Sequence, residues 1–129
     1  MDLDRTKTFW LEEAEEAKQV AEHLFEKKDY SYSLFFGHLA IEKLLKALYV
    51  ARRAEQAPYI HNLLRLAESI GLSLTDEQRD DLIRITAFHL ESRYPDEKRS
   101  FRNKCTRGYT KKELTKIDGV FAWLISMLE

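Results

Sequence analysis

The chain of 129 residues is 44% hydrophobic and 33% charged, which suits one domain around a single core and is short for two. Four Gly and two Pro are too few turn residues for a many-stranded sandwich or barrel, and the charged residues favour Glu, Lys and Arg, which propagate helices, so the expected class is all-α. One Cys excludes an internal disulfide framework and a multi-cysteine metal site. With no apolar run near the ~20 residues that cross a bilayer, and an acidic N-terminus unlike a secretion signal, the expectation is a soluble, unprocessed, cytoplasmic protein.

A net charge of −1 hides an asymmetry. Residues 1–30 hold nine acidic and five basic side chains, whereas residues 95–112 hold Lys98, Arg99, Arg102, Lys104, Arg107, Lys111 and Lys112 against Asp96 and Glu97. Such a segment attracts polyanions by releasing their condensed counterions, with Phe101 and Tyr109 as stacking faces. A solvated loop docked on the protein's own acidic first helix accounts for the same charges equally well.

In chain order, Trp10, Ala14, Ala17, Ala21 and Leu24 recur at helical steps among Glu12, Glu13, Glu15, Glu16 and Glu22, which predicts an amphipathic helix over residues 8–28. Asp29 or Ser31 caps a second helix that is apolar nearly all round from Leu34 to Val50 and is therefore the expected central element. That helix carries one polar seam: at about 100° per residue, His38, Tyr49, Glu42, Arg53 and Lys46 fall within about 80° of one another. Ala57-Pro58 breaks the pattern. His61 to Ile70 then reads as a short helix closed by Gly71 in a left-handed cap. Thr75 and Gln78 form a capping box for a fourth helix, whose end Pro95 sets near Tyr94. The basic segment follows as a long connection, and Thr110 to Glu113 is a second capping box, opening a last helix with Ile117, Val120, Phe121, Leu124 and Leu128 at helical spacing. No repeat, low-complexity tract or linker divides residues 1–129, so the expected architecture is one antiparallel, four-to-five-helix up-and-down bundle.

The landmarks stand in a telling order: a Trp in helix 1, Asp29-Tyr30-Ser31-Tyr32 opening helix 2, then Ala40-Ile41-Glu42-Lys43-Leu44-Leu45-Lys46-Ala47-Leu48. His61-Asn62-Leu63 and Ser92-Arg93-Tyr94-Pro95-Asp96 complete the series. This order, spread over essentially the whole chain, resembles the stand-alone prokaryotic type of the HEPN (higher eukaryotes and prokaryotes nucleotide-binding) domain family. The resemblance implies a helical bundle, usually a homodimer, that binds RNA or a nucleotide and is often paired with a minimal nucleotidyltransferase in a toxin–antitoxin-like module. No metal and no cofactor are expected. Several branches of the family are metal-independent ribonucleases carrying an Arg-x4–6-His motif, in which the His is general base or acid and the Arg stabilises the phosphate, commonly across a dimer cleft.

The match to that motif here is Arg84 to His89, which makes these two the catalytic candidates. It departs from the active pattern at Ile85, where a polar residue usually stands, and at Glu91, where the toxin branch has Tyr. Geometry adds an independent objection: five residues of helix turn through about 500°, so Arg84 and His89 point about 140° apart and reach one substrate only through distortion or a second subunit. Arg84 shares the polar face with Glu77, Asp80, Asp81 and Glu91 and is expected to pair with Asp80 or Asp81. His89 lies on the flank nearer Leu82, Ile85 and Arg93, at a groove or interface.

A second constellation takes the remaining polar landmarks. Lys43, Lys46, His61, Arg93 and Tyr94 make a cationic, partly apolar phosphate or nucleotide pocket if the bundle brings them together, with Lys as point charge, Arg as bidentate fork and Tyr as stacking face. The same residues equally tie the bundle together, Lys46 on Glu42 and Arg93 on helix carbonyls or Asp96. Other chemistry finds no support: there is no Glu-x-x-His pair, His38 with Glu42 offers only two ligands, no phosphate loop is present, and Cys105, though flanked by cations that lower a thiol pKa, has no motif partner. Two classes therefore stand, neither associated with a membrane: an RNA- or nucleotide-binding protein with or without cleavage, and a non-catalytic bundle that docks a partner protein or senses a nucleotide.

Overall fold

The computed structural model describes the backbone over residues 2–91 and 95–128 and side chains over residues 2–89 and 99–128. Among the described residues there are six helices and no strand. Helix α1 (Leu3–Glu26) starts before its apolar stripe because Asp2 caps it, accepting the Arg5 N–H at 3.1 Å. It turns through Lys28, at φ +69°, into α2 (Tyr30–Arg53). Asp29 stands at the cap, but its backbone carbonyl accepts Ser33 N–H while its side chain makes no cap bond, and Ser31 is already helical. The next expected helix begins two residues later than His61. Asn62 is the cap of α3 (Leu63–Ile70), accepting Arg65 N–H at 3.0 Å, and leaves His61 in the irregular segment before it. Gly71 closes α3 at φ +88°, where a side chain would be strained.

Helix α4 (Asp76–Glu91) opens on the expected reciprocal box, Thr75 N–H on Gln78 Oε1 and Gln78 N–H on Thr75 Oγ1. Tyr94, the expected end of this helix, lies outside the described residues. The supposed long connection is a helix, α5 (Pro95–Lys104). Pro95 takes the first position, where a missing N–H costs nothing, and Arg102 and Lys104 in the last turn suit the negative end of the dipole. The second capping box does not form. Helix α6 (Arg107–Leu128) starts earlier, with Thr106 Oγ1 accepting Tyr109 N–H, so Thr110 and Glu113 turn inward and are buried.

Named contacts set the helix directions. Ser33, Lys43 and Lys46 on α2 meet Ala21, Glu13 and Trp10 on α1, in opposite order. Arg107 and Asp118 on α6 meet Phe25 and Lys18 on α1, again reversed. Helices α2 and α6 thus both run opposite to α1, α4 packs against α2 and α6, and α3 and α5 are shorter additions. The hub is α2: Leu34, Ile41, Leu44, Leu45 and Leu48 are fully buried against Leu63 and Leu66 of α3, Leu82, Ile85 and Phe88 of α4, and Ile117 and Leu124 of α6. Each such side chain contributes roughly 1.5–3 kcal/mol by leaving water. The Ile117 side chain of α6 packs directly on Gly37 of α2, where an added Cβ would sit 2.6 Å from Ile117 Cδ1. The segment between α2 and α3 brings His61 back onto the α2 seam, and that return builds the site.

Candidate functional site

His38, Glu42 and Lys46 lie one turn apart along α2 and are all buried. Glu42 is their junction: Oε1 accepts from His61 Nδ1 at 2.9 Å, and Oε2 accepts from Lys46 Nζ at 3.4 Å. A carboxylate 6% exposed needs such partners, because an isolated buried charge is unstable there. Lys46 sits over the Trp10 ring at 5.1 Å from its centroid, which satisfies the ammonium on its apolar side.

His38 holds the backbone of the same loop. Burial is the first cause that lowers its pKa to about 4, and Glu42 and the His61 carbonyl only partly offset it. The ring is therefore neutral at physiological pH, and its approach to Glu42 at 3.9 Å is not an ion pair. Nε2 lies 3.2 Å from His61 O, an acceptor, which assigns the proton to Nε2. Nδ1 is left as a buried lone pair with no hydrogen-bond partner among the described residues. Two residues on from His61, Leu63 N–H donates to Thr86 Oγ1 of α4 at 3.0 Å.

The third histidine comes from α4. His89 stacks on His61 with centroids 5.0 Å apart and planes 15° from parallel, and it lies against His38 at 4.9 Å and Phe35 at 5.8 Å. The His61 side chain is 54% exposed and His89 is half-buried, so the two imidazoles form a surface-reaching pair on a buried polar base. We call this the histidine face.

Of the sequence candidates, the fold brings together His89, His61 and Lys46, and it commits the Lys46 ammonium to Glu42. Lys43 is elsewhere, donating to Glu13 of α1 at 3.1 Å. Arg84 does not meet His89: its Nε and Nη2 both donate to Oε1 of the buried Glu113 on α6. The expected pairing with Asp80 or Asp81 is thereby corrected, because the early start of α6 turns Glu113 toward α4. Arg93 and Tyr94 lie outside the described residues. Glu42 and His38, set aside as an incomplete metal set, organise the site, and the signal for them was the α2 seam.

The cationic segment also differs from both expectations. Phe101 is no stacking face; it is buried against Phe88, the neighbour of His89, at 5.6 Å. Arg102 lies over Tyr32, Lys104 over Tyr109 and Arg107 over Phe25. Among the described residues, none of the segment's cations pairs with a carboxylate of α1. The segment thus lies at the end of α2 and α4 that carries Tyr32 and Phe88, with Arg107 reaching Phe25 of α1. Cys105 is buried in the core. No described helix is long and apolar enough to cross a membrane.

Fold and site together define a class: an all-α bundle whose central helix carries a buried Glu–Lys pair beneath a face of imidazoles. A model of the HEPN domain matches residues 8–126, and the chain belongs to the HEPN domain family. The crystal structure of TT1696 from Thermus thermophilus is similar at a TM-score of 0.80 and 21% identity, with 93% of this chain and 96% of that chain covered. At that identity the likeness is one of fold. Comparison with curated proteins finds no match.

Proposed function

We propose that this HEPN-family protein binds RNA or a nucleotide with His61 and His89 against the phosphate, as a cytoplasmic homodimer paired with a nucleotidyltransferase partner in a toxin–antitoxin-like module. The observation that carries the reading is the stacking of His61 on His89 at 5.0 Å at the surface of a HEPN bundle. Imidazolium donates to phosphate oxygens and neutral imidazole accepts from hydroxyls, so such a pair suits a phosphodiester and its sugar. The cations of α5 and early α6 add attraction for a polyanion. Arg93 and Tyr94 are assigned the fork and the stacking face that follow α4, and Lys43 a peripheral charge.

The test is fluorescence anisotropy with a single-stranded RNA oligonucleotide over a range of salt. Affinity is expected to fall linearly on a log–log plot, and His61→Gln with His89→Gln to weaken binding at least about tenfold. Association that is salt-insensitive and confined to a protein partner overturns the reading.

One observation favours a second reading. Arg84, the arginine of the ribonuclease motif, is held by Glu113, which suits a bundle that binds a nucleotide or a partner protein without cleaving RNA. Metal-independent cleavage that survives chelator and is lost in His89→Ala decides for the ribonuclease.

A further inference from the structure

We infer that the recess between the α1–α2 turn and α5 is a phosphate-binding subsite, built on the N-terminus of α2 and separate from the histidine face. The inference goes beyond the RNA reading above and does not depend on it.

The recess encloses about 380 Å3 and is lined by Lys28, the first turn of α2 and Arg102 of α5. Here α2 starts without a side-chain cap. The Asp29 carbonyl accepts Ser33 N–H, but its carboxylate makes no cap bond, and the Tyr30 and Ser31 N–H groups have no acceptor among the described residues. Unspent N–H groups at the positive end of a helix of 24 residues favour an anion.

Ser31 supplies an independent observation. It is 8% exposed, it lines the recess, and its hydroxyl makes no hydrogen bond with any described residue. Serines at this depth normally spend their hydroxyls, as Ser33 does two residues on by donating to Ala21 O at 2.6 Å. A buried hydroxyl beside two unspent N–H groups offers adjacent donors to one acceptor-rich group.

The charges agree with that acceptor being an anion. Lys28 and Arg102 are exposed and form no ion pair among the described residues. Arg102 Cζ lies 5.9 Å from the Tyr32 ring centroid, a stack that occupies the face of the guanidinium and leaves its N–H edges to an anion. Asp29, also exposed on this wall, opposes two cations with one charge, and the helix end adds roughly half a positive charge. A positive excess with close-set donors fits the compact, doubly charged phosphate of a monoester.

The recess adjoins the histidine face. Phe35, one turn past Tyr32, packs on His89 at 5.8 Å, and Phe101, next to Arg102, packs on Phe88, next to His89, at 5.6 Å. Two sources therefore present the same chemistry: the 5′-phosphate of an RNA lying on that face, and a free mononucleotide.

The experiment records backbone amide NMR spectra of the full chain with sodium phosphate, adenosine 5′-monophosphate or adenosine at constant ionic strength. Phosphate and the monophosphate are expected to shift the Tyr30 and Ser31 N–H signals saturably, and adenosine to leave them in place. Arg102→Gln, at an exposed position, weakens binding at least about fivefold and Ser31→Ala at least about threefold. Arg65→Gln, exposed on α3, removes the same charge and leaves binding unchanged. A second arm compares RNA oligonucleotides bearing a 5′-phosphate or a 5′-hydroxyl. Preference for the 5′-phosphate that Arg102→Gln erases supports the subsite and assigns it to the RNA end. Equal affinity for the two ends, with the monophosphate bound more tightly than phosphate, supports it and assigns it to the free nucleotide. Tyr30 and Ser31 signals unmoved by phosphate, monophosphate and phosphorylated RNA overturn the subsite, as does a loss in Arg65→Gln equal to that in Arg102→Gln. RNA binding at His61 and His89 then still upholds the reading above, whereas phosphate held at α2 by a chain without RNA affinity upholds the subsite and overturns that reading.

Discussion

Glu42 Oε1 accepts the Nδ1–H of His61 at 2.9 Å across the gap between the central helix and the segment ahead of α3. This bond ties the segment ahead of α3 to the most buried helix.

Glu42 also neutralises Lys46, so its removal leaves an ammonium about 8% exposed without a partner. Glu42→Ala is expected to lose about 3–5 kcal/mol in urea denaturation. The double variant Glu42→Leu with Lys46→Met recovers most of that stability, because an apolar pair of similar size asks for no compensating charge. A double variant no more stable than Glu42→Ala contradicts the assignment.

His38 predicts a pH dependence. Its folded pKa, about 4, lies below the unfolded 6.5, so between these values the unfolded chain binds a proton that the native ring refuses. The contribution is fully present above pH 6.5 and is lost as pH falls toward 4, about 3 kcal/mol in all at about 1.36 kcal/mol per unit. Measured by urea titration at several pH values, His38→Gln is expected to flatten this part of the curve relative to wild type. Parallel curves refute it.

The Arg84–Glu113 pair predicts an asymmetry on α4. Arg84→Ala strands the carboxylate of Glu113, 1% exposed, and is expected to cost about 2–3 kcal/mol. Asp80→Ala and Asp81→Ala change stability by less than about 0.5 kcal/mol. Equal costs at Arg84 and Asp81 would restore the local pairing that the α4 sequence suggests.

The start of α6 is tested by two threonines. Thr106→Ala removes the cap on Tyr109 N–H and is expected to cost about 1 kcal/mol. Thr110 Oγ1 is buried with no hydrogen-bond partner among the described residues, so Thr110→Val is neutral or stabilising in thermal unfolding. The reverse order of effects would place the cap at Thr110.

What was legible in the sequence was whatever local spacing controls. The near-uniform apolar character of α2 marked it as the hub, Thr75 with Gln78 marked the start of α4, and Gly71 the end of α3. The site was half legible. The narrow seam of His38, Glu42 and Lys46 showed that α2 had polar business on one side, but what sat opposite depended on a loop returning from residue 54 onward. Stacking between His61 and His89 joins two distant elements through tertiary packing, and no periodicity reports that. The errors share a cause. Thr110-Lys111-Lys112-Glu113 satisfies the capping pattern as well as Thr75 to Gln78 does, yet Thr106 captures the helix start first and Glu113 is taken by Arg84 on another helix. Charge density made 95–104 read as a loop, although Pro95 at a first-turn position and Phe101 facing Phe88 suffice for a helix.

The most direct test of the account is the NMR spectrum of the histidine rings during addition of a short single-stranded RNA. The chain has four histidines, and His23 on α1 is an internal control remote from the face. The account predicts that His61 and His89 signals shift together, saturably and less at high salt, while His23 stays in place. RNA that binds and leaves both His61 and His89 unmoved would contradict it.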